Sequence, residues 1–430
     1  MKAVVLHGVG DIRLDDVREP RLLKPTDALI RITASAICGT DLHMVRGTLG
    51  GMKPGTILGH EAVGVVEEVG RQVRNLKAGD RVVVPSTIAC GSCVYCRAGY
   101  HSQCDVANPN GPRAGTAFFG GPASSGPFHG LQAERARVPF ANTGLVRVPE
   151  EVADDQAILL SDIFPTGYFA AQLAEVQPGD VVAVFGCGPV GMFAIASAIL
   201  LGAGRVFGVD RVPDRLEIAR ALGAEVIDFE HDDPVEALRD LTGGIGPDRA
   251  IDAVGVDAEP AAHGPGKPGR EDKQHFRAER GNVVSKSRAH NGNWVPGQAP
   301  SQALRWAVEA LAKAGTLSIV GVYPDTMEGL PVGQAMGKNL TIKMGNCNHR
   351  RYIPELLRIV QRGEFDPSIL VTRQGPLVDA ISAYESFDRR EAGWLKVELR
   401  PSEQAQVPRA AAPAGKPGAR RRERSAAQRA

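Results

Sequence analysis

Four of the seven cysteines fall at Cys90, Cys93, Cys96 and Cys104, separated by two, two and seven residues. Thiolates crowded into one short loop suit a tetrahedral Zn²⁺ ion. Four of them close its coordination sphere, so such an ion is structural, pinning a lobe without a core of its own. Two further ligand types stand apart, Cys38 in ICGTDLH and His60 in GHE, each beside glycines that let the backbone turn tightly. Singly, each reads as an ordinary packed residue; together with the cysteine cluster and the next motif they become metal candidates. Gly186, Gly188 and Gly191 form GxGxxG in FGCGPVG, with Cys187 filling space in the turn and Pro189 and Val190 completing the motif. The motif follows the apolar run VVAVF and opens an Ala-rich stretch, and Asp210 ends the next apolar run nineteen residues past Gly191. Strand, turn, helix and acid in that register bind a dinucleotide: the glycines admit the pyrophosphate to the helix N-terminus, and the acid accepts from the adenine ribose 2′-hydroxyl. An acid there repels a 2′-phosphate and points to NAD(H), while the adjacent Arg211 leaves some tolerance of NADP(H).

The elements that must position these residues divide the chain of 430 residues, which is long enough for two or three domains. Residues 1–155 hold strand-like pieces at ALIRITASAI, EAVGVVEEVG and DRVVVPS with Gly and Pro punctuation, which predicts an all-β, barrel-like module with the cysteine lobe at about 88–106. Over 156–345 short apolar runs (VVAVFG, RVFGVD, AEVIDF, DRAIDAVG, TLSIVGV, LTIKMG) alternate with helical stretches such as GMFAIASAILLGA and VPDRLEIARALGA. That rhythm predicts an α/β unit with a doubly wound parallel sheet of the Rossmann type. Residues 257–300 interrupt it with a Gly-, Pro- and charge-rich segment without periodicity, read as a long inserted loop. Residues 346–400 return to the first module, ending in the strand-like WLKVELR. Residues 401–430 carry seven basic residues against two acidic ones and little apolar bulk, which predicts a disordered basic tail.

The formal net charge of +1 gives no global pull toward nucleic acid or membrane, and no apolar run reaches membrane-spanning length. The expectation is a cytoplasmic protein whose partner is a small molecule.

The segments ICGTDLH, LGHEAVGVVEEVG, CGSCVYC, SDIFPTGY and FGCGPVG resemble the zinc-containing medium-chain dehydrogenase/reductase (alcohol dehydrogenase) family over residues 1 to 400. SDIFPTGY, with Asp where many members have Cys, is similar to the glutathione-independent formaldehyde dehydrogenase branch. The resemblance implies a GroES-like catalytic module before the Rossmann unit and two Zn²⁺ per chain, the catalytic one held by Cys38, His60 and Asp162. It implies Thr40 next to that zinc, His43 at the outer end of a proton relay, and Asp41 and Glu61 orienting the ligands. It places Thr166 by the nicotinamide, Arg215 near the adenine ribose and Arg350 near the pyrophosphate. Three ligands leave a fourth position open, where Zn²⁺ lowers the pKa of a bound hydroxyl while hydride passes to NAD. A dimer or tetramer is implied as well.

Several alternatives stay open at this stage. Glu61 and Asp162 could exchange at the metal, and Cys347 with His349 is too little by itself to define a further metal pair. The substrate could be hydrated formaldehyde, a short primary alcohol, a polyol or threonine. A zinc-free reductase would lack Cys38, Asp162 and the four-cysteine lobe, whereas a non-catalytic relative would keep the fold without the chemistry. Arg135 and Ala136 stand where an aromatic and an aliphatic residue are expected at a strand end.

Overall fold

A computed structural model of the chain describes residues 1–111, 113–284 and 293–401. The first module is antiparallel. Lys2–Gly8 pairs with Asp11–Asp16 and with Thr56–Ile57 in a three-stranded sheet. A second sheet runs in the order Arg373–Pro376, Val397–Arg400, Ala28–Ile37, Ala62–Val69, Arg81–Val84, Val146–Arg147, with Arg135–Val138 also against Ala28–Ile37. Register shifts at Leu29/Ile30 and Ile32/Ala34 bend the long strand Ala28–Ile37, so its first half serves Arg135–Val138 and its last residues serve Val397–Arg400. The last strand of the described chain therefore completes the sheet of the first module. Within it Arg135 is a surface residue, held by Glu67 at 2.9 Å and Glu19 at 3.1 Å, which is why no aromatic residue is needed there.

The second unit is a six-stranded parallel sheet in the order Glu225–Asp228, Arg205–Asp210, Val181–Phe185, Arg249–Asp252, Thr316–Ile319, Thr341–Met344. All six apolar runs of the sequence supply a strand, and the order is that of a doubly wound Rossmann sheet. The period of two explains its two-sided burial. Val182 and Val184 face Ala194, Ile195 and Ala198 of the helix Pro189–Leu200, whereas Ala183 and Phe185 face Leu238, Ala303 and Ala307 of the opposite layer. The chain order reverses beside Val181–Phe185, and the crevice off its carboxyl end is where such folds take ligands. The helix Ile163–Leu173 joins the two units, with Ile163 and Phe164 buried among Ala34, Val63 and Phe193.

The segment 257–300 is not the aperiodic loop that its composition suggests. Arg270–Val283 is a helix of 14 residues with acidic Glu271 and Asp272 in its first turn and only Phe276, Glu279 and Val283 buried. Those inward positions are spaced by three and four, a stripe too thin to register among so many charges. Trp294 then leaves the sheet unit altogether and is 6% exposed in the first module's core, packed with Val4, Leu6 and Leu42. Residues 285–292 of the segment and 402–430 of the expected disordered tail lie outside the described residues. Among the described residues no helix is long and apolar enough to cross a membrane.

Candidate active site

Cys38 ends the strand Ala28–Ile37 and caps the helix Gly39–Arg46. Asp41, one turn in, ties two potential ligands together: its Oδ2 accepts from the Cys38 backbone N–H at 3.0 Å, and its Oδ1 lies 3.0 Å from His60 Nδ1. With Nδ1 bound to Asp41, His60 aims Nε2 at Asp162 Oδ2, 3.1 Å away. Gly59 makes this approach; its φ is +88°, and a Cβ there would meet Gln132 at 2.4 Å. Asp162, at the head of the helix Ile163–Leu173, divides its two oxygens. Oδ2 meets His60 and, at 3.6 Å, Cys38 Sγ, whereas Oδ1 meets His349 Nε2 at 2.6 Å, Thr166 Oγ1 at 3.0 Å and Ser86 Oγ at 3.4 Å.

The electrostatics follow from burial and these neighbours. Burial pushes the Cys38 thiol up. Burial also opposes a charge on His60, but Asp41 and Asp162 hold its imidazole well above the usual range. Asp162, though buried, is held well below the usual carboxylate range by His349 and His60. Ligand atoms of Cys38, His60, Glu61 and Asp162 lie within 4.8 Å of one another. Thiolate, imidazole and carboxylate together form the mixed S/N/O donor set of a Zn²⁺ site with room for substrate. Glu61 is differently occupied: Lys396 Nζ lies 2.7 Å from its Oε1 and 2.6 Å from its Oε2, and also donates to the Ile37 carbonyl. Burial raises the Glu61 carboxyl while Lys396 opposes the rise. Glu61 is thus paired with a lysine, whereas Asp162 Oδ2 faces the candidate ligands Cys38 and His60.

The sulfurs of Cys90, Cys93, Cys96 and Cys104 form a second cluster, also within 4.8 Å of one another. Backbone N–H groups of Cys90, Ser92 and Cys93 donate to Cys104 and Cys90 sulfurs at 3.3–3.4 Å, as thiolates require. Burial opposes ionisation of Cys90, yet the Ser92 and Cys93 donors bring its thiol down to about 7, whereas burial pushes Cys96 and Cys104 up. No pair is a disulfide; all seven cysteines are free. None of these four cysteines lines the cleft that holds Cys38, His60 and Asp162.

One cleft of about 860 Å³ runs from Cys38, His60 and Asp162 to Gly186, Gly188 and Asp210. Gly186 makes the turn at φ +90°, and Gly191 packs so tightly that a Cβ would lie 1.7 Å from the Gly186 carbonyl oxygen. Gly188, capping the helix that begins at Pro189 and Val190, has no such neighbour: a Cβ there would meet only Arg215, at 3.9 Å, and would otherwise fill open cleft. That empty cradle at a helix N-terminus fits a dinucleotide pyrophosphate. Asp210, at the end of the adjacent strand, accepts from the N–H groups of Cys187, Arg211 and Val212, with Arg215 Nη1 at 3.8 Å. The Arg211 guanidinium is engaged by Glu230 at 3.2 Å.

Thr40 and His43 share one face of the helix Gly39–Arg46 and both border the cleft, with Thr40 Oγ1 3.9 Å from Cys38 Sγ. His43 is buried, its Nδ1 has no hydrogen-bond partner, and Nε2 lies 3.7 Å from Asp257. Burial lowers its pKa against the pull of Asp257. A buried imidazole nitrogen without a partner in the cleft wall is what a cofactor hydroxyl would satisfy. Arg46 spans the two units, meeting Asp257 at 2.5 Å and Asp388 at 2.6 Å. Arg350 is not brought to the cleft. His349, the first residue of the helix His349–Gln361, takes the inward direction, and Arg350, one helical step round, lies by His101 instead. Ser86, Thr87, His349, Arg390 and Asp257 border the cleft and escaped the motif reading. Only Cys-x-His at 347–349 carried a local signal.

An antiparallel barrel-like module and a doubly wound sheet sharing one ligand cleft, with a mixed-donor cluster at one end and a dinucleotide turn at the other, define a two-part nucleotide-dependent oxidoreductase fold. Residues 24–150 match the alcohol dehydrogenase GroES-like domain and residues 189–262 the zinc-binding dehydrogenase family. An uncharacterized zinc-type alcohol dehydrogenase-like protein of Bacillus subtilis is 38% identical over 405 residues, 93% of this chain and 100% of the relative. The solved alcohol dehydrogenase TADH from Thermus sp. ATN1 is 35% identical with a TM-score of 0.76, covering 93% of this chain and 99% of its own. A glutathione-independent formaldehyde dehydrogenase of Pseudomonas aeruginosa is 39% identical over 273 residues, 61% of this chain and 67% of the relative. The chain belongs to the zinc-type alcohol dehydrogenase family of the medium-chain dehydrogenase/reductases.

Proposed function

We propose that the protein is a cytoplasmic dehydrogenase that oxidises a short alcohol or a hydrated aldehyde, formaldehyde first, with NAD as acceptor. Its catalytic Zn²⁺ would be held by Cys38, His60 and Asp162, and a structural Zn²⁺ by Cys90, Cys93, Cys96 and Cys104. The observation that carries the reading is the Asp162 oxygen turned to Cys38 and His60 in the same cleft that ends at the Gly186–Gly191 turn. When bound, the zinc supplies a Lewis acid for the substrate oxygen and the nicotinamide a hydride acceptor.

The protein's own groups have separable tasks. Asp41 keeps the His60 ring oriented, and Lys396 keeps Glu61 occupied, so the ligand set stays at three. Thr40 receives the substrate hydroxyl by hydrogen bond. His43, kept uncharged by burial, accepts the proton that leaves the site. Thr166, hydrogen-bonded to Asp162, and Arg215 both line the cleft; Thr166 would contact the nicotinamide and Arg215 the adenine ribose. Arg350 has no role in this reading.

Support for NAD over NADP comes from Asp210 in the cleft wall and from Glu230, which engages the guanidinium of the adjacent Arg211. Support for formaldehyde comes from Asp162 at the third ligand position and from the similarity to a glutathione-independent formaldehyde dehydrogenase. Full-length similarity to TADH, an alcohol dehydrogenase, favours a short alcohol as the second reading. The exposed Met336 and Met344 beside the edge strand Thr341–Met344 support a homo-oligomer, dimer or tetramer, built on that edge.

The test is NADH formation by the zinc-loaded protein with formaldehyde and no glutathione, beside short primary alcohols, polyols and threonine, repeated with NADP. Turnover on formaldehyde supports the first reading, and turnover on an alcohol alone transfers support to the second. Silence across the panel with two zinc ions bound overturns both.

A further inference from the structure

We infer that His349 is a positioning residue that holds one oxygen of Asp162 out of the metal site and sets that carboxylate's angle from the four-cysteine lobe. The inference rests on Asp162 being a metal ligand, as proposed above. Its basis is the division of the carboxylate. Everything that touches Oδ2 is a candidate ligand, namely Cys38 at 3.6 Å and His60 at 3.1 Å. Everything that touches Oδ1 is a hydrogen-bonding group outside the ligand set, and the shortest contact is His349 Nε2 at 2.6 Å.

A free carboxylate can offer a metal one oxygen or both, and the hydrogen bonds on its outer oxygen decide which. A donor at 2.6 Å on Oδ1 keeps Asp162 a one-oxygen ligand and preserves the open position that substrate needs. Ser86 and Thr87 hydroxyls flank the His349 ring at 3.1–3.3 Å and fix its rotation. His349, Asn348 and Ser102 are all buried.

The anchor of His349 is unusual. The preceding residue, Asn348, accepts from the Ser102 N–H at 3.0 Å, and the single Ser102 hydroxyl proton faces both Asn348 Oδ1 at 3.0 Å and the Asn346 carbonyl at 2.9 Å. Ser102 lies two residues before Cys104. The route from the thiolate lobe to the catalytic carboxylate is therefore Cys104, Ser102, Asn348, His349, Asp162. It makes the lobe a fixture against which the catalytic site is levelled.

The test replaces the catalytic metal with Co²⁺, leaves Zn²⁺ in the lobe, and reads the cobalt d–d absorption together with metal affinity by chelator competition. In His349→Leu the bands shift and weaken as the second oxygen joins the metal, and affinity falls roughly 10–100-fold. His349→Gln, which keeps a donor for Oδ1, returns the spectrum toward the parent. Asn348→Ala, remote from the metal, gives a smaller shift of the same sign. A folded His349→Leu protein with the parent spectrum and affinity overturns the inference, and if that variant does not fold, a parent-like spectrum in Asn348→Ala does so. A parent protein that takes up no cobalt outside the lobe overturns the metal reading itself, a separate result seen before any variant is made.

Discussion

Gly188 and Gly191 belong to one motif but face different neighbours, and Gly188→Ala separates cofactor contact from fold. At Gly188 the backbone is already at φ −72° and ψ −178°, open to any residue, and the added methyl meets only Arg215, at 3.9 Å. Loss of glycine from a helix N-cap costs a few tenths to about 1 kcal/mol, while the stiffer unfolded chain returns about 0.4–1 kcal/mol. The two nearly cancel, so the thermal midpoint should move by less than about 2 °C. The methyl nevertheless occupies the space proposed for the pyrophosphate and keeps it off the helix N-terminus. NADH affinity should fall about 10–100-fold, about 1.4–2.8 kcal/mol. Fluorescence titration with NADH beside a thermal melt reads both quantities. Gly191→Ala supplies the contrast, because a Cβ 1.7 Å from the Gly186 carbonyl oxygen forces helix and turn apart and must lower the melt as well. An NADH Kd within twofold of the parent in Gly188→Ala would refute the placement of the cofactor.

Cys93→Ser should cut bound zinc from two to one per chain and loosen the lobe; metal analysis with limited proteolysis checks it, and a variant still holding two zinc ions contradicts the cluster's role. Arg46→Met takes the shared cation from the buried Asp388 and the half-buried Asp257 and should cost about 3–5 kcal/mol in urea unfolding at pH 7. Burial favours the neutral form of Asp257, yet Arg46 and His43 hold it well below the usual carboxylate range. Its contribution is therefore present above the unfolded pKa near 4 and lost as pH falls through the lower folded value. Without Arg46 the folded pKa rises, so the gap between parent and variant should narrow between pH 6 and 4; a constant gap contradicts the pairing. Asp210→Ser should raise the NADP-to-NAD ratio of kcat/KM at least tenfold, read from steady-state kinetics with either cofactor, and an unchanged ratio removes Asp210 from cofactor choice.

Periodicity made the parallel sheet readable in advance, because each apolar run is local and bounded by Gly, Pro or an acid. The same reasoning failed where the stabilising contacts are distant. The helix Arg270–Val283 shows its neighbours three inward residues and otherwise charge, so its stripe vanished into composition. His349 meets Asp162 across 187 residues, and Lys396 meets Glu61 across 335. Neither pairing leaves a trace in local spacing, and a lysine inside WLKVELR reads as an ordinary edge residue. Cys347 with His349 was too little to define a metal pair, and the structure gives His349 a carboxylate partner and buries Cys347. Arg350 shows the opposite case: it is not among the residues lining the cleft. Resemblance assigned a charge to the cleft, but the helix register gives that direction to the residue before it.

The strand Val397–Arg400 lies between Ala28–Ile37 and Arg373–Pro376. During synthesis, the ribosome delivers the first strands of that module early but this strand only after every strand of the parallel sheet. The parallel sheet, continuous from Val181 to Met344, meets no such delay and can close while the first module still waits for its neighbour. Until Val397–Arg400 arrives, the flank of Ala28–Ile37 is an unpaired strand edge that a nascent chain of this protein must keep from pairing wrongly.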